Sequence, residues 1–97
     1  MTESVRVLVT FLGILRDQFG EPSIEFTLPQ GATLRDLLDA LAPQAEQRLT
    51  DWAWDRARKT FADRVMVSRN MTAGPRDETA LLADGDEILV FPPLAGG

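Results

Sequence analysis

The chain has no cysteine, no histidine and no tyrosine, and it has a single lysine, Lys59. Without cysteine there are no disulfides, no thiolate nucleophile and no cysteine-based metal site. Without histidine the commonest metal ligand and the usual general base near neutral pH are missing. Carboxylates alone bind hard cations weakly unless several converge. What remains for catalysis is Asp, Glu, Ser, Thr, Arg and Lys59, a poor set for a self-contained active site. Positive charge is also scarce: ten Lys and Arg are dispersed among fifteen Asp and Glu, for a net charge of −5. Neutralising phosphates takes clustered cations, so nucleic acid is not an expected partner. An acidic surface suits a partner with a basic face. Long apolar runs are absent too. None approaches the ~20 residues of a membrane span, and the opening residues lack the basic stretch and apolar core of a signal peptide. The expected compartment is the cytoplasm, without membrane association.

What is present suits one small domain over residues 1–97, rich enough in apolar residues to fold without staples. Val5 to Leu12 alternates with period two, placing Val5, Val7, Val9 and Phe11 on one face and Arg6, Leu8, Thr10 and Leu12 on the other. Gly13 to Gly20 reads as a connector with room for one helical turn. Ile24 to Leu28 alternates again, bounded by Pro22 and Pro29. A helix follows: Thr33 and Asp36 form a capping-box pair, and Leu34, Leu37, Leu38 and Leu41 make one apolar stripe. Pro43 is expected to end it. In Gln44 to Phe61, Ala45, Leu49, Trp52 and Ala53 fit a second helical stripe, with Asp55 and Lys59 as an i,i+4 pair. On such a helix Trp52 and Trp54 point apart, so one is exposed, and Trp52 is the one expected inside. Arg64 to Ser68 reads as a third strand. Asn70 to Asp77 is turn-rich around Gly74-Pro75. Leu81-Leu82 is a short apolar anchor, Asp84-Gly85-Asp86 a tight turn, and Glu87 to Phe91 an apolar run suited to a strand covered on both sides. Two strands, a covering helix and a late central strand describe an α+β fold, a ubiquitin-like β-grasp. Its mixed sheet is covered by one main helix, and its last strand lies parallel to the first.

Chemistry concentrates at the end of the chain. Pro92-Pro93 cannot donate to a ladder, so pairing stops after Phe91, and two prolines favour a stiff segment that carries the chain outward. Leu94 and Ala95 are small apolar grips. Gly96-Gly97 lack side chains and can thread a channel too narrow for other residues. Residues 92–97 are thus a tail with a flexible Gly-Gly end and a reactive α-carboxylate at its tip. A carboxylate is a poor electrophile, but joined to AMP it has a leaving group that a persulfide or thiol can displace. With a persulfide the first product is an acyl disulfide, which a further thiol cleaves to leave a thiocarboxylate, and nothing in this scheme needs His or Cys on the carrier.

The last sixteen residues resemble the MoaD/ThiS sulfur carriers. They are most similar to the small subunit of molybdopterin synthase (MoaD), which shows L-x-D-G-D-E, a strand, Pro-Pro and a terminal Gly-Gly. Leu82, Asp84, Gly85, Asp86, Glu87, Pro92, Pro93, Gly96 and Gly97 match in order. The upstream β-β-α order and Trp52 are similar more loosely. Ser68-Arg69-Asn70-Met71 stands where the family often has Val-Asn-Gly or Val-Asn-Gln, and the Gln44–Phe61 stretch is extra. The resemblance implies that Gly97 is adenylated by a ubiquitin-activating-type (E1-like) adenylyltransferase of the MoeB kind, which uses ATP. Gly97 is then thiocarboxylated. Pro92, Pro93, Leu94, Ala95 and Gly96 thread the active site of a MoaE-type large subunit, in a heterotetramer that makes molybdenum cofactor. The carrier would bind no cofactor or metal itself and would be a non-catalytic subunit. Sulfur delivery to thiamine, cysteine or tRNA, or attachment of Gly97 to target lysines as a ubiquitin-like modifier, are the alternatives.

Other features have plainer readings beside them. Asp84-Gly85-Asp86 falls far short of a calcium loop and reads as a turn. Leu8, Leu12, Leu89 and Phe91 share the outer sheet face if the first and last strands are neighbours. They then form either a partner-docking patch or a surface covered by a loop. Trp54 is either an exposed interface anchor or a residue packed under the third strand. Lys59 reads as a solvated lysine on a helix face rather than an isopeptide acceptor.

Overall fold

A computed structural model describes residues 3–70, 72–73 and 77–92. Nine elements follow one another: β1 (Ser4–Phe11), α1 (Ile14–Phe19), β2 (Ser23–Pro29), α2 (Leu34–Arg48), β3 (Trp54–Asp55), β4 (Thr60–Phe61), β5 (Met66–Arg69), β6 (Thr72–Ala73) and β7 (Asp86–Phe91). Five form one sheet in the order β2-β1-β7-β5-β6, and β3 and β4 pair separately. β1 runs antiparallel to β2 and parallel to β7, and β7 runs antiparallel to β5. This is the expected β-grasp, with its last strand in the middle of the sheet. Among the described residues no helix is long and apolar enough to cross a membrane.

Alternation decides the sheet's two faces. Val5, Val7, Val9 and Phe11 of β1 are buried beside Ile88 and Val90 of β7, under Leu37, Leu38, Leu41 and Ala45 of α2. Helix α2 starts at the capping box: the Thr33 hydroxyl accepts from the Asp36 N–H, and the Asp36 carboxylate accepts from the Thr33 N–H at 2.9 Å. Pro43, however, does not end it; the helix continues to Arg48. Proline removes one donor, to the Asp39 carbonyl, and both residues sit on the exposed side, where water can pair with that carbonyl.

The second helix expected after it is absent. Residues 54–61 form a β-hairpin instead, because local polar bonds outcompete helical ones. The Asp55 carboxylate accepts from the Ala57 and Arg58 N–H groups, 3.0 Å each, and Lys59 takes φ 55°. The tryptophans are therefore reversed from expectation. Trp54 is 1% exposed and packs edge-on against Phe61, with centroids 5.1 Å apart, while Trp52 is 36% exposed with the Arg64 guanidinium 5.7 Å over its ring. Lys59 is not on a helix face and does not pair with Asp55; its Nζ reaches Glu46 at 2.5 Å. Gly74-Pro75 lies outside the described residues.

Candidate functional site

The L-x-D-G-D-E segment clamps β7 into the sheet from both sides. Leu82 is buried, and its N–H donates to the Ala32 carbonyl at 2.9 Å. Gly85 takes φ +89°, a conformation that favours glycine. Its N–H donates to the Arg6 carbonyl at 2.8 Å, while the Asp84 carboxylate accepts from the Arg6 N–H at 2.8 Å. The turn thus grips one residue of β1 by both its backbone groups and sets the register Val7 opposite Asp86.

Asp86 secures the other side. One carboxylate oxygen accepts from the Ala83 N–H at 2.8 Å and from the Arg69 guanidinium at 2.7 Å; the other accepts from the Asn70 amide at 2.9 Å. Burial pushes the Asp86 carboxyl up, but these donors outweigh it and hold it below its ordinary value. Asn70, at φ 52°, also exchanges two bonds with Glu87: its N–H donates to the Glu87 carbonyl at 2.7 Å, and its side-chain oxygen accepts from the Glu87 N–H at 2.8 Å. Sequence reasoning missed Arg69 and Asn70. An Asn two residues past the strand expected at Arg64 to Ser68, where positive φ is well tolerated, was the available signal.

With both edges paired, β7 runs to Phe91 and releases the chain at Pro92. The last bond to β1 is the Leu12 N–H to the Val90 carbonyl, 2.9 Å. Pro92 lies against Gly13, which has φ 60° and ψ −138°; a Cβ at Gly13 would fall 3.3 Å from the Pro92 Cγ. Pro93, Leu94, Ala95, Gly96 and Gly97 lie outside the described residues.

The outer face of this central pair carries an apolar patch. Leu8 and Thr10 of β1 lie opposite Glu87 and Leu89 of β7, and Phe91 lies opposite Met66 of β5. Leu12 follows on the same side by alternation. Leu8, Leu89 and Phe91 are half-buried, Leu12 is 40% exposed and Met66 is 44% exposed. Among the described residues β7 is therefore covered on its inner face, where both helices pack, and not on its outer face, contrary to expectation. Met66 was overlooked, although its alternation with Val65 and Val67 places it outward.

The ThiS family model matches residues 9–97. No curated protein sequence matches. Solved structures share the fold. SAMP1 from Haloferax volcanii is 26% identical with a TM-score of 0.74, over 95% of this chain and 99% of that one. A Pyrococcus furiosus protein described as a molybdopterin converting factor, subunit 1, is 28% identical with a TM-score of 0.68, over 94% of this chain and all of that one. A chain from the complex of subunits 1 and 2 of the molybdopterin-converting factor of Helicobacter pylori is 22% identical with a TM-score of 0.62, over 96% of this chain and all of that one; that likeness is one of fold.

Proposed function

Because the chain belongs to the ThiS family of ubiquitin-like sulfur carriers, we propose that it is the small subunit of a molybdopterin synthase, carrying sulfur as a thiocarboxylate on Gly97. The observation that carries this reading is the clamped central strand. Asp84 and Asp86 tie β7 to both neighbours, so the chain leaves the domain at Pro92 from a fixed point. Similarity to the Pyrococcus furiosus subunit 1 supports the molybdopterin assignment.

The chemistry needs little from this chain beyond its terminus. A Gly97 carboxylate oxygen attacks the α-phosphorus of ATP, pyrophosphate leaves, and an acyl-adenylate remains. A hydrosulfide equivalent from a sulfur donor then attacks the acyl carbon, and AMP leaves. An adenylyltransferase of the MoeB type binds the ATP. Pro92 to Gly96 then thread the active site of a MoaE-type large subunit, in a cytoplasmic heterotetramer. The apolar outer face of Leu8, Leu12, Leu89 and Phe91 docks on that subunit. A chain of the Helicobacter pylori subunit 1 and 2 complex has this fold, which supports such an assembly.

The test is intact mass after incubation with ATP, the activating enzyme and a sulfur donor. A gain of about 16 mass units at Gly97, one oxygen replaced by sulfur, is the expected result. No gain, with the enzyme active on another carrier, would remove the reading. The similarity to SAMP1, a small archaeal modifier protein by name, favours one second reading, attachment of Gly97 to protein lysines. Diglycine remnants on cellular lysines that depend on this chain would establish it.

A further inference from the structure

The contact between Gly13 and Pro92 joins the first loop of the domain to the base of its tail. Gly13 makes the bend from β1 into α1 at φ 60° and ψ −138°, a region closed to residues with a side chain. Its missing Cβ also lets the Pro92 ring close in. A Cβ there would sit 3.3 Å from Cγ and 3.5 Å from Cδ, so the ring would have to move by a few tenths of an ångström. Gly20, Gly31 and Gly85 also have positive φ, yet a Cβ on any of them would meet nothing within 4 Å. Positive φ alone therefore does not set Gly13 apart; the contact with the proline does. Pro92 has a fixed φ and no N–H, and Pro93 follows it. Consecutive prolines transmit a change of direction at the first instead of absorbing it.

We propose that Gly13 is a positioning residue for the carrier tail: it sets the direction in which Pro92 leaves the sheet, and through it the presentation of Gly97 to the activating enzyme. This rests on the carrier reading above. Gly13 touches neither ATP nor sulfur. Its effect falls on the turnover of a bound tail rather than on the binding of the activating enzyme.

The experiment compares sulfur loading of Gly97 by the activating enzyme for the unmodified chain, Gly13→Ala, Gly31→Ala, Pro92→Ala and the double variant Gly13→Ala/Pro92→Ala. Gly31→Ala imposes positive-φ strain with no neighbour to push. Misplacement by 1 Å costs on the order of a hundredfold, so a shift of tenths should lower kcat about fivefold. Gly13→Ala is expected to show that loss with KM changed less than about twofold, Gly31→Ala to keep kcat, and the loss to vanish when Gly13→Ala is made on the Pro92→Ala chain. Equal kcat for Gly13→Ala and Gly31→Ala, or an undiminished loss on the Pro92→Ala chain, overturns the proposal. Should Gly13→Ala not fold, NOEs between the Gly13 α-protons and the Pro92 ring in the unmodified chain decide: they are expected, and their absence overturns it. An unmodified chain that takes up no sulfur overturns the carrier reading as well, whereas a loading chain with the outcomes above overturns this inference alone.

Discussion

The centre of the sheet and the excursion over residues 49–61 both place side chains in the core, but different forces hold them there. Between β1 and β7 the backbone ladder does most of the holding, and a side chain adds to it at the turn, where Asp84 accepts from the Arg6 N–H. The β3–β4 hairpin is only two residues a side and cannot stand alone. Side chains reaching across from α2 hold it. Arg35 donates to the Arg58 and Lys59 carbonyls, the Glu46 carboxylate takes Lys59, and the Arg56 guanidinium returns to the Glu46 carbonyl at 2.5 Å. A ladder is written into alternation along one segment. A set of side-chain bonds between distant segments is not, and its order follows the packing of Trp54 and Phe61 into the core.

The largest effect should come from the region that leads to the tail. One extra residue after Gly97 should abolish sulfur loading while leaving the circular dichroism and melting temperature unchanged; normal loading by the extended chain would break the link between the central strand and the carrier role. Next comes the hairpin's anchor. Trp54→Ala should cost about 3–5 kcal/mol in denaturant unfolding, as expected for emptying a buried aromatic site. A cost below 1 kcal/mol would mean that the hairpin is not part of the core.

A smaller effect belongs to the clamp on β7. The Asp86 carboxyl is held below its ordinary value of 3.8, so its stabilisation is complete above that pH and is lost as pH falls through the lower folded-state value. Asp86→Asn should cost about 1–3 kcal/mol at neutral pH, and its stability should fall less steeply than that of the unmodified chain below pH 3.8. Parallel acid profiles would show that Asp86 is not the group responsible. The smallest effect should be at Trp52, whose ring is exposed beside Arg64: Trp52→Ala should change stability by less than about 1 kcal/mol. If Trp52 cost as much as Trp54, the two tryptophans would not differ in role.

The same contrast accounts for what could be read from the chain in advance. β1, β2 and β7, the capping box and the leucine stripe of α2 are local patterns, and each appears where its pattern lies. The turn at Gly85 was legible for the same reason. Residues 44–61 were misread because Ala45, Leu49 and Ala53 keep helical spacing and are all buried, yet a helix contributes only to the first. The other two are buried by a chain that turns back. Pro43 misled in the opposite sense, since a proline on a helix's exposed side removes a single bond. On the site, the tail from Pro93 to Gly97 lies outside the described residues and rests on the letters alone. Arg69, Asn70 and Met66 became visible only once β5 was set beside β7.

By itself the sequence determined which residue types are at hand for chemistry: neither Cys nor His, but Asp, Glu, Ser, Thr, Arg and Lys59, with the Gly97 carboxylate as the group on which the carrier proposal rests. It also determined the elements whose order is periodic. The tertiary structure alone decided which tryptophan is buried, where Lys59 finds its partner, which residues clamp β7 and why Gly13 lies under Pro92. Each of those depends on two segments meeting that are far apart along the chain, and the free energy of such a meeting comes from shared burial and paired polar groups, which neither segment displays alone.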